Sequence, residues 1–440
     1  MQKEKRDIES LRKKSLHYSI KDGSASAVMD SAGNSSISPL ALALGASNSY
    51  IGFLSSLPNL VSSIFQLRTP RFMEKFSRKS IVTKSALLQA LIWLPIMVIS
   101  LLNFRLKGAL VLLLIFYVML VSFNSAIGPA WTSWMKDIVP EKNSGKFFGK
   151  RSMIVGFVGL VSLLFMGIVL DTFKKADALF FGFAALFAAA FFARYLSRYF
   201  LLQKYEPKLE LGKSYYFSFR QFLRSMHANN FGRFVFFVAL FQFAVQIASP
   251  FFVVYMLKQL NFTYMMYTIL ITSQTLATLS TMPLWGKLGD RHGNLFLIKS
   301  ASMFIPIIPF LWLFSSNFYY LFAVQALTGF LWAGFNLGAS NFIYDAVSRE
   351  RIGLCVAYSN IITTVGVFLG ATFGGFLSTH FFTGVFSFFA LLVVSGTLRF
   401  LVPVLMLRNI KEVRQVKPFD MREAVLNQLY DTMKFLRIMP

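Results

Sequence analysis

One cysteine, Cys355, stands in 440 residues. A single thiol excludes an intrachain disulfide framework and an all-cysteine metal site. Charge is scarce too: 14% of residues are Asp, Glu, Lys or Arg, against roughly 25% in an ordinary soluble domain. Acids are the scarcer sign, 19 against 44 Lys and Arg. The four histidines, His17, His227, His292 and His380, lie far apart. No H-E-x-x-H, C-x-x-C or G-x-x-x-x-G-K-[ST] occurs, and an ATP-driven pump needs the last of these. No metal and no cofactor are expected. Residues 1–21 are charged and lead into no apolar core with a small-residue cleavage site, so no cleaved leader is expected.

Apolar residues, by contrast, make up 55% of the chain, with 51 Phe. One soluble core could not hide so much apolar surface. Runs of spanning length recur at about 50–69, 80–102, 108–132, 152–171, 178–202, 233–257, 264–286, 295–315, 318–343, 354–378 and 381–407, each near the ~20 residues that cross a bilayer as a helix. The stretch 23–46 is the least apolar candidate for a twelfth. Its Gly, Ala and Ser suit close packing inside a bundle. The expectation is an all-α integral membrane protein of about twelve transmembrane helices, surrounded by lipid.

The net charge of +25 on a soluble chain would suggest nucleic acid. Here Lys and Arg sit in short clusters between apolar runs, with no base-stacking module, and no nucleic-acid partner is expected. The positive-inside rule accounts for them. With twelve spans and an inner N-terminus, only Arg105, Lys107, Lys174, Lys175 and Lys258 fall outside, leaving 39 of the 44 inside. The division that follows is 1–21, a cytoplasmic segment; 22–202, six helices; 203–232, a cytoplasmic linker; 233–407, six helices; and 408–440, a cytoplasmic basic amphipathic tail. Ser218–Arg224 reads as a short surface helix. In the tail Asp420 and Glu423 have capping-box spacing, with Met421, Val425, Leu429 and Met433 on one face. Trp131 and Trp134 near an inner boundary read as an aromatic belt.

The two halves repeat. Ser38-Pro39 matches Ser249-Pro250. Pro70-Arg71-Phe72-Met73-Glu74-Lys75-Phe76-Ser77-Arg78-Lys79 matches Gly286-Lys287-Leu288-Gly289-Asp290-Arg291-His292-Gly293-Asn294-Leu295. Asp137 with Gly145 matches Asp345 with Gly353. Three matches in one order point to two six-span halves in parallel, a plan used by secondary transporters.

Gly286, Asp290, Arg291 and Gly293 resemble the G-x-x-x-D-R-x-G-R-[RK] loop signature of the major facilitator superfamily, in the expected place between spans eight and nine. The N-terminal copy keeps Glu74, Lys75, Arg78 and Lys79 but has Pro70 and Ser77 for the glycines. The fourth span lacks the Arg of proton-driven drug exporters, and the fifth, with Gly156, Gly159 and Gly167, lacks their Gly-Pro signature. The resemblance covers roughly residues 20–407. It implies a monomeric, multi-pass permease of the cell membrane with both termini cytoplasmic. It implies secondary active transport of a small solute by alternating access, coupled to a proton or other ion, and no enzyme activity. It also implies a cytoplasmic latch at Gly286, Asp290, Arg291 and Gly293, answered by Glu74, Lys75 and Arg78, with Asp137 and Arg151 bridging to it. Gly286 would let helices approach closely and Gly293 would allow a sharp turn.

Polar residues at membrane depth are the site candidates, because lipid penalises them. Asp22, Ser26, Asp30 and Asn34 lie four apart on one face of the first span. Asp30 is the acid deepest in a span and the candidate for ion coupling. In the resembled family spans one, four, seven and ten line the cavity, which favours Asp30, Asn34, Asn124, Gln242, Gln246, Asn336 and Asn341. The few fixed charges argue against a highly charged solute. Two other readings stay open: a lipid-modifying enzyme, for which Asp22-Gly23 and Asp30 offer a partial acidic motif, and a non-transporting scaffold protein of the same architecture.

Overall fold

Twelve helical passes, and no strand, make up the described part of the chain. The computed structural model describes residues 2–102, 108–140, 144–207, 218–226, 229–348, 351–380, 384–414 and 416. Among them nine helices are long and apolar enough to cross a membrane. Three passes fall short of that apolarity: the first, the second and the eighth. They carry the Ser, Thr, Asn and Gln that face the interior of the bundle rather than lipid.

The first pass is α1 (Gln2–Met29), a π-helical turn (Asp30–Asn34) and α2 (Ser35–Ala43). The charged residues 2–21 continue into the first span as one helix. Next come α3 (Asn48–Gln66), a short α4 (Thr69–Lys75), α5 (Arg78–Leu102), α6 (Ala109–Ile138), α7 (Ser144–Lys175) and α8 (Leu179–Leu202). The linker holds α9 (Phe219–Ser225), where Ser218 and Gln221 form a capping box, each satisfying a backbone N–H left over at the helix start. The second half runs α10 (Asn230–Gln246), α11 (Phe252–Val254), α12 (Tyr264–His292), α13 (Asn294–Phe304), α14 (Ile307–Phe314), α15 (Phe318–Ala346), α16 (Ile352–His380) and α17 (Gly384–Met406). Pro306 splits the ninth pass into α13 and α14, because its ring removes an N–H from the ladder. The proposed tail helix at 420–433 lies outside the described residues.

Within the first half α5 packs on α6 and α8, and α1 on α7 and α8; within the second, α12 packs on α15 and α10 on α16. The halves meet along two seams, α3 on α16 and α7 on α12. Helix α16 is bound to its own half by glycine. Ideal Cβ atoms at Gly366, Gly370 and Gly374 would collide with the carbonyl oxygens of Ala239, Phe243 and Ile247. Four-residue spacing puts all three on one face, and only a missing side chain allows two backbones so close.

Trp134 is fully buried, and its Nε1 donates to the Tyr205 carbonyl at 2.9 Å. It is therefore core rather than part of an interfacial belt. Together with Trp131 it sandwiches the Lys204 ammonium.

Candidate functional site

The loops of one face of the bundle carry most of the Lys and Arg and are called the basic face here; the other is the far face. Between the halves lies a cavity of about 690 Å³. Asn34, Ser35, Ser38 and Ser55 line it from the first half, and Gln242, Gln246, Gln274, Gln325 and Asn336 from the second. Tyr267, Trp312 and Trp332 add aromatic faces. Of the cavity residues expected from sequence, Asn34, Gln242, Gln246 and Asn336 line this space. Asp30, Asn124 and Asn341 are not among the lining residues, although Asp30 bonds Asn34, which is; Asp30 and Asn124 are exposed, and Asn341 is half-buried.

Arg399 was not among those candidates. It lines the cavity from α17, is 3% exposed, and donates from Nη2 to the Val245 carbonyl at 3.0 Å. The sequence signal was a base well inside the last apolar run, which the topology count absorbed as a boundary charge. Arg194 went the same way. Each arginine is the sixteenth residue of its helix, α8 or α17, so they occupy matching places in the repeat.

The first-span stripe serves several partners. Asp22 is buried and held by the ammonium of Lys204 and, at 3.5 Å, by Arg151. That ties α1 to α7 and to the segment after α8. Arg194 Nη1 donates to Ser26 Oγ at 3.2 Å and lies within electrostatic reach of Asp30 and Asp22. Asn34 donates from Nδ2 to Asp30 Oδ1 at 2.7 Å, across the π-helical turn. The wider turn shows in Ser35, five positions on, whose N–H donates to the Asp30 carbonyl.

At the basic face the motif residues work within their own halves. Arg78 is buried; its Nη1 donates to Asp137 Oδ2 at 2.6 Å, and its Nη2 to the Pro207 carbonyl. Glu206, just past α8, accepts from the Lys79 backbone N–H at 3.0 Å. The second half repeats the plan: Glu412, just past α17, accepts from the Leu295 N–H at 2.7 Å, and Asn294 donates to Asp345. Where Arg78 serves the first half, Asn294 has no charge, and Arg414 supplies one from beyond α17. Its Nε lies 2.8 Å from Asp345, and its Nη1 3.6 Å from Asp290. Arg151 faces Asp22, not Asp137. Asp290 and Arg291 are exposed, as are Glu74 and Lys75. Gly286, expected at a close helix approach, has nothing within 4 Å of a Cβ built there. Gly293 has φ +90° and makes the turn between α12 and α13.

Cross-half hydrogen bonds gather toward the far face. Asp171, near the end of α7, accepts from the backbone N–H groups of Tyr264 and Met265 at 2.8 and 2.9 Å, at the start of α12. Ser49 and Thr379 share a hydroxyl bond of 2.8 Å, and Lys258 donates to the Ala46 carbonyl at 3.4 Å. Ser63, within one turn of the basic-face end of α3, bonds Thr364 at 2.8 Å. Three of these four contacts lie at the far end of the cavity.

The sequence profile of the Major Facilitator Superfamily matches residues 23–245 and again 234–440. The multi-drug resistance efflux pump PmrA of Streptococcus pneumoniae is 27% identical over 154 residues, 35% of this chain and 37% of that protein. The multidrug resistance protein MdtG of Salmonella choleraesuis is 29% identical over 99 residues, 22% of this chain and 24% of that one. The aligned stretches thus span only a quarter to somewhat over a third of these relatives. The crystal structure of a D-xylose–proton symporter superposes with a TM-score of 0.68 over 93% of this chain and 99% of its own, at 15% identity. That likeness is one of fold.

Proposed function

The chain belongs to the major facilitator superfamily, and on that premise we propose that it is a secondary active transporter carrying a small solute by alternating access. The observation that carries this reading is a polar cavity between two halves, with cross-half hydrogen bonds gathered at the far end of it. A permease needs a second state in which the closed face opens and the other closes. The exposed Asp290, Arg291, Glu74 and Lys75 are the groups we assign to latch the basic face in that state. Arg78 and Asp137 anchor the N-terminal side of that latch, and Arg151 acts through Asp22. The basic face is cytoplasmic by the positive-inside rule, with both termini there, in the cell membrane, and the monomer is the working unit.

Coupling to a proton or another ion is assigned to Asp30, which bonds the cavity residue Asn34 and has Arg194 and Tyr117 within electrostatic reach. The enzyme reading loses its acidic start, since Asp22 is already neutralised by Lys204 and Arg151. Uptake and counterflow of labelled solutes in proteoliposomes of the purified protein test the proposal. Movement faster than in empty vesicles, saturable in solute, is the expected result. The absence of flux across a broad solute panel would leave the scaffold reading.

A further inference from the structure

Arg194 and Arg399 take the same place in the two halves, and they differ in company. Arg194 has Ser26 and Ser197 hydroxyls at 3.2 and 3.3 Å and the fields of Asp30 and Asp22. Arg399 has one backbone carbonyl, that of Val245. Both arginines leave Nε buried without a hydrogen-bond partner, but only Arg399 has no carboxylate in its field among the described residues. It is also the sole charged residue among those lining the central cavity. An ionised guanidinium in such a place is costly unless a counter-charge meets it, and an arginine at depth cannot shed its proton to escape the cost.

We infer that the counter-charge is the solute, and that the cavity takes an organic anion whose acidic group pairs with Arg399. The inference rests on the transport reading above and narrows it to a substrate class. The remaining lining fits such a molecule. Gln242, Gln246, Gln274, Gln325 and Asn336 offer neutral donors and acceptors, and Trp312 and Trp332 offer flat apolar faces. A cation is disfavoured in the same space, because the one charge lining it is positive and the acid beside it, Asp30 on Asn34, already has Arg194 in its field. The planar fork of the guanidinium suits a carboxylate or a phosphate alike. A cavity of about 690 Å³ accommodates either on an aromatic or aliphatic body of modest size.

The test is a thermal-shift and tryptophan-fluorescence screen of the purified full-length protein with matched sets: benzoate, 4-phenylbutyrate and phenyl phosphate against benzamide, 4-phenylbutyramide and phenol, with benzylamine as the cation. The acids should bind about ten- to a hundredfold tighter than their neutral partners, the range of a charged hydrogen-bonded contact. Carboxylates leading phosphates, or the reverse, identifies the acidic group. Arg399→Gln should abolish the preference for acids, and Arg399→Lys should keep part of it. Acids binding no better than amides, no acid binding at all, or the amine binding best overturns the inference. So does an Arg399→Gln protein that keeps the full preference. If that variant does not fold, the wild-type ratio of acid to amide decides alone. Flux separates the two readings: an acid that binds but never crosses proteoliposomes counts against transport and leaves the site standing. Saturable flux of amides without preference for acids does the reverse.

Discussion

The carboxylate of Asp171 sits on the first turn of a helix in the opposite half, accepting from the Tyr264 N–H at 2.8 Å and the Met265 N–H at 2.9 Å. Thr263 takes the next N–H, that of Met266. Three of the backbone donors that an α-helix leaves unpaired at its start are thereby satisfied. Two of them are satisfied only while the halves are together at the far face. A carboxylate there also meets the positive end of the helix dipole.

Asp171→Ala should therefore favour the state open at the far face. A cap of this kind contributes about 0.5–2 kcal/mol, or roughly two- to thirtyfold in the population ratio. Spin-label distances between the far ends of α7 and α12 read the shift. An unchanged distance distribution would show that the contact adds nothing to the state.

Arg78 and Arg414 occupy analogous places with unlike burial. Arg78 is buried against Asp137, while Arg414 is partly exposed between Asp345 and Asp290. Breaking a buried pair costs about 3–5 kcal/mol, and a screened one about 0–1 kcal/mol. Arg78→Gln should lower the melting temperature clearly, and Arg414→Gln by little. Equal losses would contradict the burial argument.

Asp30→Asn should abolish gradient-driven accumulation while sparing solute-for-solute exchange, which needs no net ion movement. The paired measurement is uphill uptake and counterflow in the same proteoliposomes. Undiminished uphill uptake removes Asp30 from coupling. Loss of both activities makes it a substrate contact instead.

Orientation is checked by single cysteines at Ser10, Ser214 and Ser316 in a protein lacking Cys355. An impermeant thiol reagent on intact cells should label the Ser316 position alone, because the Lys and Arg distribution puts the other two in the cytoplasm. Labelling at Ser10 or Ser214 would reverse the assignment.

The passes were legible because an apolar run of spanning length has few alternatives in lipid, and α5, α6 and α8 fall close to the runs at 80–102, 108–132 and 178–202. Helix ends were less so. Helix α7 starts at Ser144 rather than near 152, since a helix continues past the apolar zone wherever its polar residues find partners. Asn34, Gln242, Gln246 and Asn336 were legible as amides at depth. Arg399 was not, because hydropathy averages one base away in a run as apolar as 381–407. The seats of Glu206 and Glu412 on helix starts more than a hundred residues away leave no local pattern to read.

The glycine face of α16 decides where the molecule can bend. With Gly366, Gly370 and Gly374 pressed on the carbonyls of α10, a slide or a roll of α16 on that side would drive backbone into backbone. An adjoining surface meets α3 through hydroxyl pairs, Ser49 with Thr379 and Ser63 with Thr364, and through close backbone contact, where a Cβ on Gly52 would lie 2.7 Å from the Ala371 carbonyl oxygen and one on Gly375 3.0 Å from Ser49 Cα. The hydroxyl pairs exchange partners, with water or with the next turn, at little cost. The α10 side is the tighter of the two, at 2.1–2.3 Å against 2.7–3.0 Å for a Cβ on the α3 side, so α16 travels with the C-terminal half. A single methyl group in that face, as in Gly370→Ala, would act on the rigidity of one rocker arm rather than on the pivot. Its signature would be lost melting temperature with the balance of the two states unmoved.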